Sequence, residues 1–202
     1  MKRIITISFD DGHDLDKDVI ELLDNRPCTI YMIVNRIKRF DKKLYAKVEI
    51  GCHTMNHPHL FEPCNIAGEI TRARTKLQEH FQQSIDCFAY PYGQTTLGVA
   101  HIVSMAGFKY ARLYCLDEEN AYIIPEPMLA PITNYHDKLF DEDRFWRFAK
   151  SGKPIHLGGH SYHYDNREKI MKLTNIINMV ESMGYQFVTN SEYYDYCLSL
   201  RS

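Results

Sequence analysis

The stretch RIITISFDDG, residues 3–12, runs a series of β-branched and apolar residues straight into two adjacent carboxylates and a glycine. Ile4, Ile5, Ile7 and Phe9 read as a buried strand. The segments at 28–34, 48–53, 86–90, 108–113, 154–159 and 185–189 repeat that apolar, β-branched character. Between them lie segments with helical spacing, at 15–25, 38–47, 66–81, 95–106, 141–150, 167–183 and 191–198. The plainest is 66–81, where Ile66, Ile70, Ala73, Leu77 and Phe81 recur at three and four. Gly107 suits the end of the helix before it, and Asp141 the start of the one after.

Seven strands alternating with helices predict a parallel sheet. A chain of 202 residues suits one domain, spanning 1–202, and falls short of the about 250 residues usual for an eightfold barrel. The predicted fold class is therefore α/β: a distorted seven-stranded (β/α) barrel with parallel strands. Residues 116–137 carry three prolines and no period, and read as a long loop with a short strand at 128–133.

A formal net charge of -2 argues against a nucleic-acid partner, which would want a basic excess. No segment approaches a membrane span. The apolar run after Lys2 and Arg3 breaks at Asp10, too early for an export signal. Six cysteines without C-x-x-C spacing read as reduced thiols, and a cytoplasmic location is expected.

In a parallel α/β fold, functional groups gather at the C-terminal ends of strands. SFDDG (8–12), HTMNHP (53–58), AYPYG (89–93) and HLGGHSY (156–162) all fall there. Asp10 and Asp11 point in different directions at a strand end, so one can hold a metal while the other faces its water. Read alone, D-D-G equally suits a turn before a helix. His53 and His57, four apart, match two neighbours on one helical turn, with His59 a competing ligand. Thr54 can bond back to the local backbone. One carboxylate and two imidazoles leave coordination positions open, as hydrolysis requires. The Tyr92 backbone N–H can face a developing oxyanion, and His160 can protonate a leaving group. His156 reads as a buried strand residue, His163 as a solvated loop residue and Trp146 as core.

These motifs, in this order over residues 4–162, resemble the polysaccharide deacetylases of carbohydrate esterase family 4. The resemblance implies removal of N- or O-linked acetyl groups from a sugar or glycan precursor. The implied cofactor is a divalent metal, zinc first, with cobalt, nickel or manganese also matching the donors. It implies Asp10 as base, Asp11, His53 and His57 as ligands, His160 as general acid and Tyr92 as oxyanion donor. Pro91, Tyr92, His136 and Tyr162 are the expected substrate-facing residues. The family's third motif starts with Arg where this chain has Ala89. Arg112 is expected either to supply that charge or to form a structural salt bridge. The late motif is GGHSY where the family has Leu-x-His-Asp. Two other readings stand beside this one: a catalytically degenerate carbohydrate-binding protein of the same fold, and a metal-dependent amidase or deformylase acting on a small metabolite.

Overall fold

The computed structural model describes residues 2–39, 42–61, 64–117, 126–137 and 140–200. Strands β1 (Ile4–Phe9), β2 (Thr29–Met32), β3 (Glu49–Cys52), β4 (Cys87–Ala89) and β5 (Tyr110–Leu116) lie side by side in chain order. Between them run α1 (Asp16–Leu23), α2 (Lys42–Tyr45), α3 (Ile66–Phe81) and α4 (Leu97–Met105). The second half adds β6 (Ala130–Ile132), β7 (Asn134–Tyr135), α5 (Glu142–Ser151), β8 (Ile155–Gly159), α6 (Arg167–Ser182), β9 (Gln186–Phe187) and α7 (Asn190–Ser199). Every pairing is parallel, in the order β6-β5-β4-β3-β2-β1-β8-β7.

The two ends of that order, β6 and β7, are separated in the chain by Thr133 alone. The first pairs with β5 and the second with β8, so one short segment nearly closes the sheet into a barrel. At the break, the Thr133 N–H donates to the His156 carbonyl at 3.0 Å. The expected strand at 185–189 forms as β9 but pairs only with β1, at Ile4 and Ile5. The seventh place in the ring therefore falls to residues 130–135. Residues 118–125 of the expected loop, and 40–41 of the expected helix at 38–47, lie outside the described residues.

Helices cover the outside of the barrel through an apolar face. On α3 the buried residues Ile70, Ala73, Leu77 and Phe81 follow the predicted spacing. Asp141 caps α5, its Oδ1 accepting from the Arg144 N–H at 2.9 Å. The inside of the barrel is more polar and α7 stops one end of it. Glu49 Oε2 accepts from the Thr29 hydroxyl at 2.6 Å and from the first N–H of α7, at Asn190, at 3.1 Å. The Asn190 amide donates to the Tyr31 hydroxyl at 2.7 Å. His156 is buried as expected, with Nδ1 2.8 Å from the Thr6 hydroxyl. Trp146 packs on Phe145, with ring centroids 4.8 Å apart.

The six cysteines are free thiols, four of them buried. No described helix is long and apolar enough to cross a membrane.

One close contact fixes the packing of β8 against the segment after β7. A Cβ on Gly159 would lie 2.6 Å from the His136 ring. That ring cannot step aside cheaply: its Nε2 is 2.8 Å from the Ser8 carbonyl and its Nδ1 2.8 Å from the Tyr164 hydroxyl. Gly159→Ala is expected to destabilise the fold by about 1–3 kcal/mol through overpacking, measured by urea unfolding.

Candidate active site

Beyond the C-terminal ends of β1, β3, β4, β5 and β8, ten residues line an open cavity of about 280 Å³. They include Asp10, Asp11, His53, His57, Tyr92, His160 and Tyr162, together with Tyr90, Gly93 and Tyr114. Two expected substrate-facing residues are absent from this lining. Pro91 is buried under its own turn. His136 is buried with both ring nitrogens engaged, and so braces the barrel wall.

The loops that carry the site are held in uncommon backbone conformations. Among the described residues seven non-glycine positions have positive φ, and four of them stand at this rim: Asp11 (81°), Thr54 (67°), His57 (62°) and Tyr92 (58°). A β-branched residue such as Thr54 adopts this region only when its surroundings force it. Residues 53–58 therefore do not form the helical turn that the histidine spacing suggested. Instead the Thr54 hydroxyl accepts from the His57 N–H at 2.9 Å and folds the loop back. Gly12, at φ 64°, follows Asp11, and a Cβ there would strike Met32 Sδ at 2.1 Å.

Within this frame Asp11 and the two histidines converge. Asp11 Oδ1 lies 3.6 Å from His53 Nε2 and 3.6 Å from His57 Nε2. That is too long for a hydrogen bond. It is close to the about 3.3 Å that separates two donors bound about 2.0–2.1 Å from one tetrahedral ion. The tautomer of His53 is set as a ligand needs: its Nδ1 faces the Ala89 carbonyl at 2.8 Å, leaving Nε2 for the cluster. Burial holds the His53 ring below its ordinary pKa, and burial together with His53 lowers His57 to about 4. Both rings are thus neutral at pH 7, with lone pairs available. The residues present fit a divalent cation. Arg36 borders them, its Nη1 3.2 Å from the Asp11 carbonyl oxygen.

Asp10 has different company. Its carboxylate pairs with the Arg112 guanidinium, and both are buried. Burial alone would raise the Asp10 pKa, but Arg112, together with His53 and His160, outweighs it and holds the carboxyl below its usual range. Arg112 lies between the rings of Tyr31 and Tyr114, 4.9 and 5.7 Å from their centroids. The charge missing at Ala89 therefore comes from the neighbouring strand, where Ala89 pairs with Arg112 in register.

Across the cavity His160 Nδ1 lies 3.2 Å from Asp137 Oδ2, which also accepts from the Tyr114 hydroxyl at 2.9 Å. Burial opposes a charge on His160, but Asp137 and the nearby Asp10 and Asp11 overcome it and raise the pKa. Sequence reasoning missed Asp137, Tyr114 and Arg36. Asp137 lies two residues past a strand of only two residues, so no periodicity flagged it. His163, read as solvated, places Nε2 3.6 Å from Asp137 Oδ2. Tyr92, half exposed, stacks on His59 with ring centroids 3.7 Å apart and packs against His57 at 4.5 Å. His59 thus props the Tyr92 ring and does not join the Asp11 cluster.

The sequence profile of the polysaccharide deacetylase family matches residues 1–111. Among curated proteins none matches the sequence. Several solved structures share the fold. A peptidoglycan N-acetylglucosamine deacetylase superposes with a TM-score of 0.71 at 18% identity, covering 96% of this chain and 89% of that one. A family 4 acetyl xylan esterase from Clostridium thermocellum, in complex with a cobalt ion, gives 0.67 at 18% identity, with 96% and 91% covered. A CE4 family pseudoenzyme from Bacillus anthracis gives 0.68 at 15% identity, with 96% and 66% covered.

Removing the guanidinium leaves a buried carboxylate unpaired. Arg112→Met is expected to cost about 3–5 kcal/mol at pH 7. Because Asp10 has a depressed pKa in the folded state, the pair stabilises above the unfolded value of 3.8 and its contribution fades as pH falls through the folded pKa. Urea unfolding of both proteins at neutral and acid pH should show the gap narrowing with acid.

Proposed function

Because the chain belongs to the polysaccharide deacetylase family, we propose that it hydrolyses an N- or O-linked acetyl group on a sugar or glycan precursor. In this reading Asp11, His53 and His57 hold a divalent cation, zinc first. One observation carries it: a carboxylate paired with Arg112 stands beside an Asp-His-His cluster, and His160, whose Nδ1 is turned to Asp137, faces both across one cavity. The fold alone does not decide the matter, since a pseudoenzyme shares it. The reading rests on this chain retaining the base, the ligands and the acid together.

The cation, when bound, supplies a water that ionises near neutral pH and a Lewis acid for the acetyl carbonyl. Asp10 takes the proton of the attacking water on the oxygen not engaged by Arg112. Arg112 fixes the angle of that carboxylate and keeps it charged. The Tyr92 N–H donates to the carbonyl oxygen as negative charge grows there, a contact typically worth about 3–4 kcal/mol. His160 carries its transferable proton on Nε2, because Nδ1 is turned to Asp137. It gives that proton to the departing sugar nitrogen or oxygen. Tyr162 and the exposed Tyr92 ring offer flat faces to the sugar.

Acetate release from a panel of acetylated sugars tests the reading. Asp10→Asn is expected to keep the bound cation and lower kcat by about 10²–10⁴-fold, whereas His57→Ala loses the cation itself. Metal counts on each variant separate the two. A strong chelator should abolish acetate release, and added Zn²⁺ should restore it. Full activity after complete metal removal would overturn the assignment.

A further inference from the structure

A second set of ligating side chains stands behind the acid. Among the described residues two groups of His and Asp bring one ligand atom each within 4.8 Å of one another. One is Asp11, His53 and His57; the other is Asp137, His160 and His163. In the second, Asp137 Oδ2 lies 3.2 Å from His160 Nδ1 and 3.6 Å from His163 Nε2. These two spacings lie on either side of the about 3.3 Å expected between donors on one tetrahedral ion. A histidine held only as an acid would need Asp137 alone. His163 brings a third donor to the same carboxylate oxygen. It is carried on the short 3-10 turn Ser161–His163 that His160 begins. The cluster also has two faces. His160 lines the catalytic cavity, whereas Asp137 and His163 line a separate one of about 190 Å³. The lysines bordering that second cavity have other partners: Lys169 Nζ is 2.7 Å from Asp165 Oδ1, and Lys172 sits 5.3 Å from the Phe140 ring centroid.

We propose that Asp137, His160 and His163 form a second divalent-cation site whose occupation switches hydrolysis off. The ion takes the Nδ1 lone pair of His160, so the proton shared between Nδ1 and Asp137 is released to solvent. The ring that remains is neutral, carrying only its Nε2 proton, and is a far weaker acid than an imidazolium. The Tyr114 hydroxyl holds Asp137 Oδ2 at 2.9 Å and steadies the carboxylate for either occupant. The inhibitory part rests on the role proposed above for His160, while the binding part does not.

Cobalt(II) titration of the metal-free chain tests both parts. Cys64 and Cys115 are first replaced by Ser, because they are the exposed thiols. Equilibrium dialysis counts the ions, and visible d–d absorption reports their coordination. The expected count is two per chain, falling to one in His57→Ala and to one in His163→Ala. Excess Co²⁺ or Zn²⁺ should slow acetate release from N-acetylglucosamine oligomers, whose amine cannot depart unprotonated, at least tenfold in the parent chain, and the same excess should not slow His163→Ala. A parent chain that binds one ion, or a His163→Ala chain of native circular dichroism that still binds two, overturns the second site. Two ions without inhibition overturn the switch. An unchanged count in His57→Ala alone counts against the first centre and leaves the second standing. Should His163→Ala unfold, His163→Asn gives the same readings.

Discussion

The buried ion pair between Arg112 and Asp10 spans the barrel from β5 to the end of β1, and the rim is organised around it. A guanidinium and a carboxylate withdrawn from water are tolerated only together. Their union therefore sets which strands must face each other across the interior. Neighbours give way to make room. A Cβ on Gly158 would lie 3.2 Å from Arg112 Nη1, and the rings of Tyr31 and Tyr114 pack against the guanidinium. Asp10 is thus held ionised before anything binds.

Four histidines near this pair show how surroundings divide one side chain among several tasks. His53 and His57 are kept neutral by burial and present bare nitrogens to Asp11. Burial opposes a charge on His160, but Asp137 and the nearby Asp10 and Asp11 raise its pKa. Burial lowers His136 to about 4, and it serves as a neutral strut. Intrinsic basicity is the same in all four; burial and the nearest carboxylate decide the outcome. The two functional sets also come from different halves of the chain. The family profile ends at residue 111, so it covers Asp11, His53 and His57 but not Arg112, Asp137 or His160.

Much of this was legible in the sequence. The α3 helix has the bounds that its apolar spacing predicts, and the strand-end motifs do meet at one cavity. The spacing of His53 and His57 gave the right proximity for the wrong local reason. It implied a helical turn, but the chain brings the rings together through left-handed Thr54 and His57. What could not be read depends on contacts far apart in sequence. The expected short strand at 128–133 contains β6, but β7 is only two residues long and has no period to detect, so the closure of the barrel and the carboxylate that follows it were hidden. His136 looked like a cavity residue because nothing local reveals that Ser8 and Tyr164 claim both its nitrogens.

The overlap between Gly159 and the His136 ring ties two distant positions into one evolutionary unit. A larger residue at 159 is admissible only after the imidazole has gone, and losing the imidazole leaves a void against Phe9, whose ring centroid is 4.5 Å away. Lineages that keep one should keep the other. Drift at this seam would then arrive as paired replacements, because either change made alone costs packing.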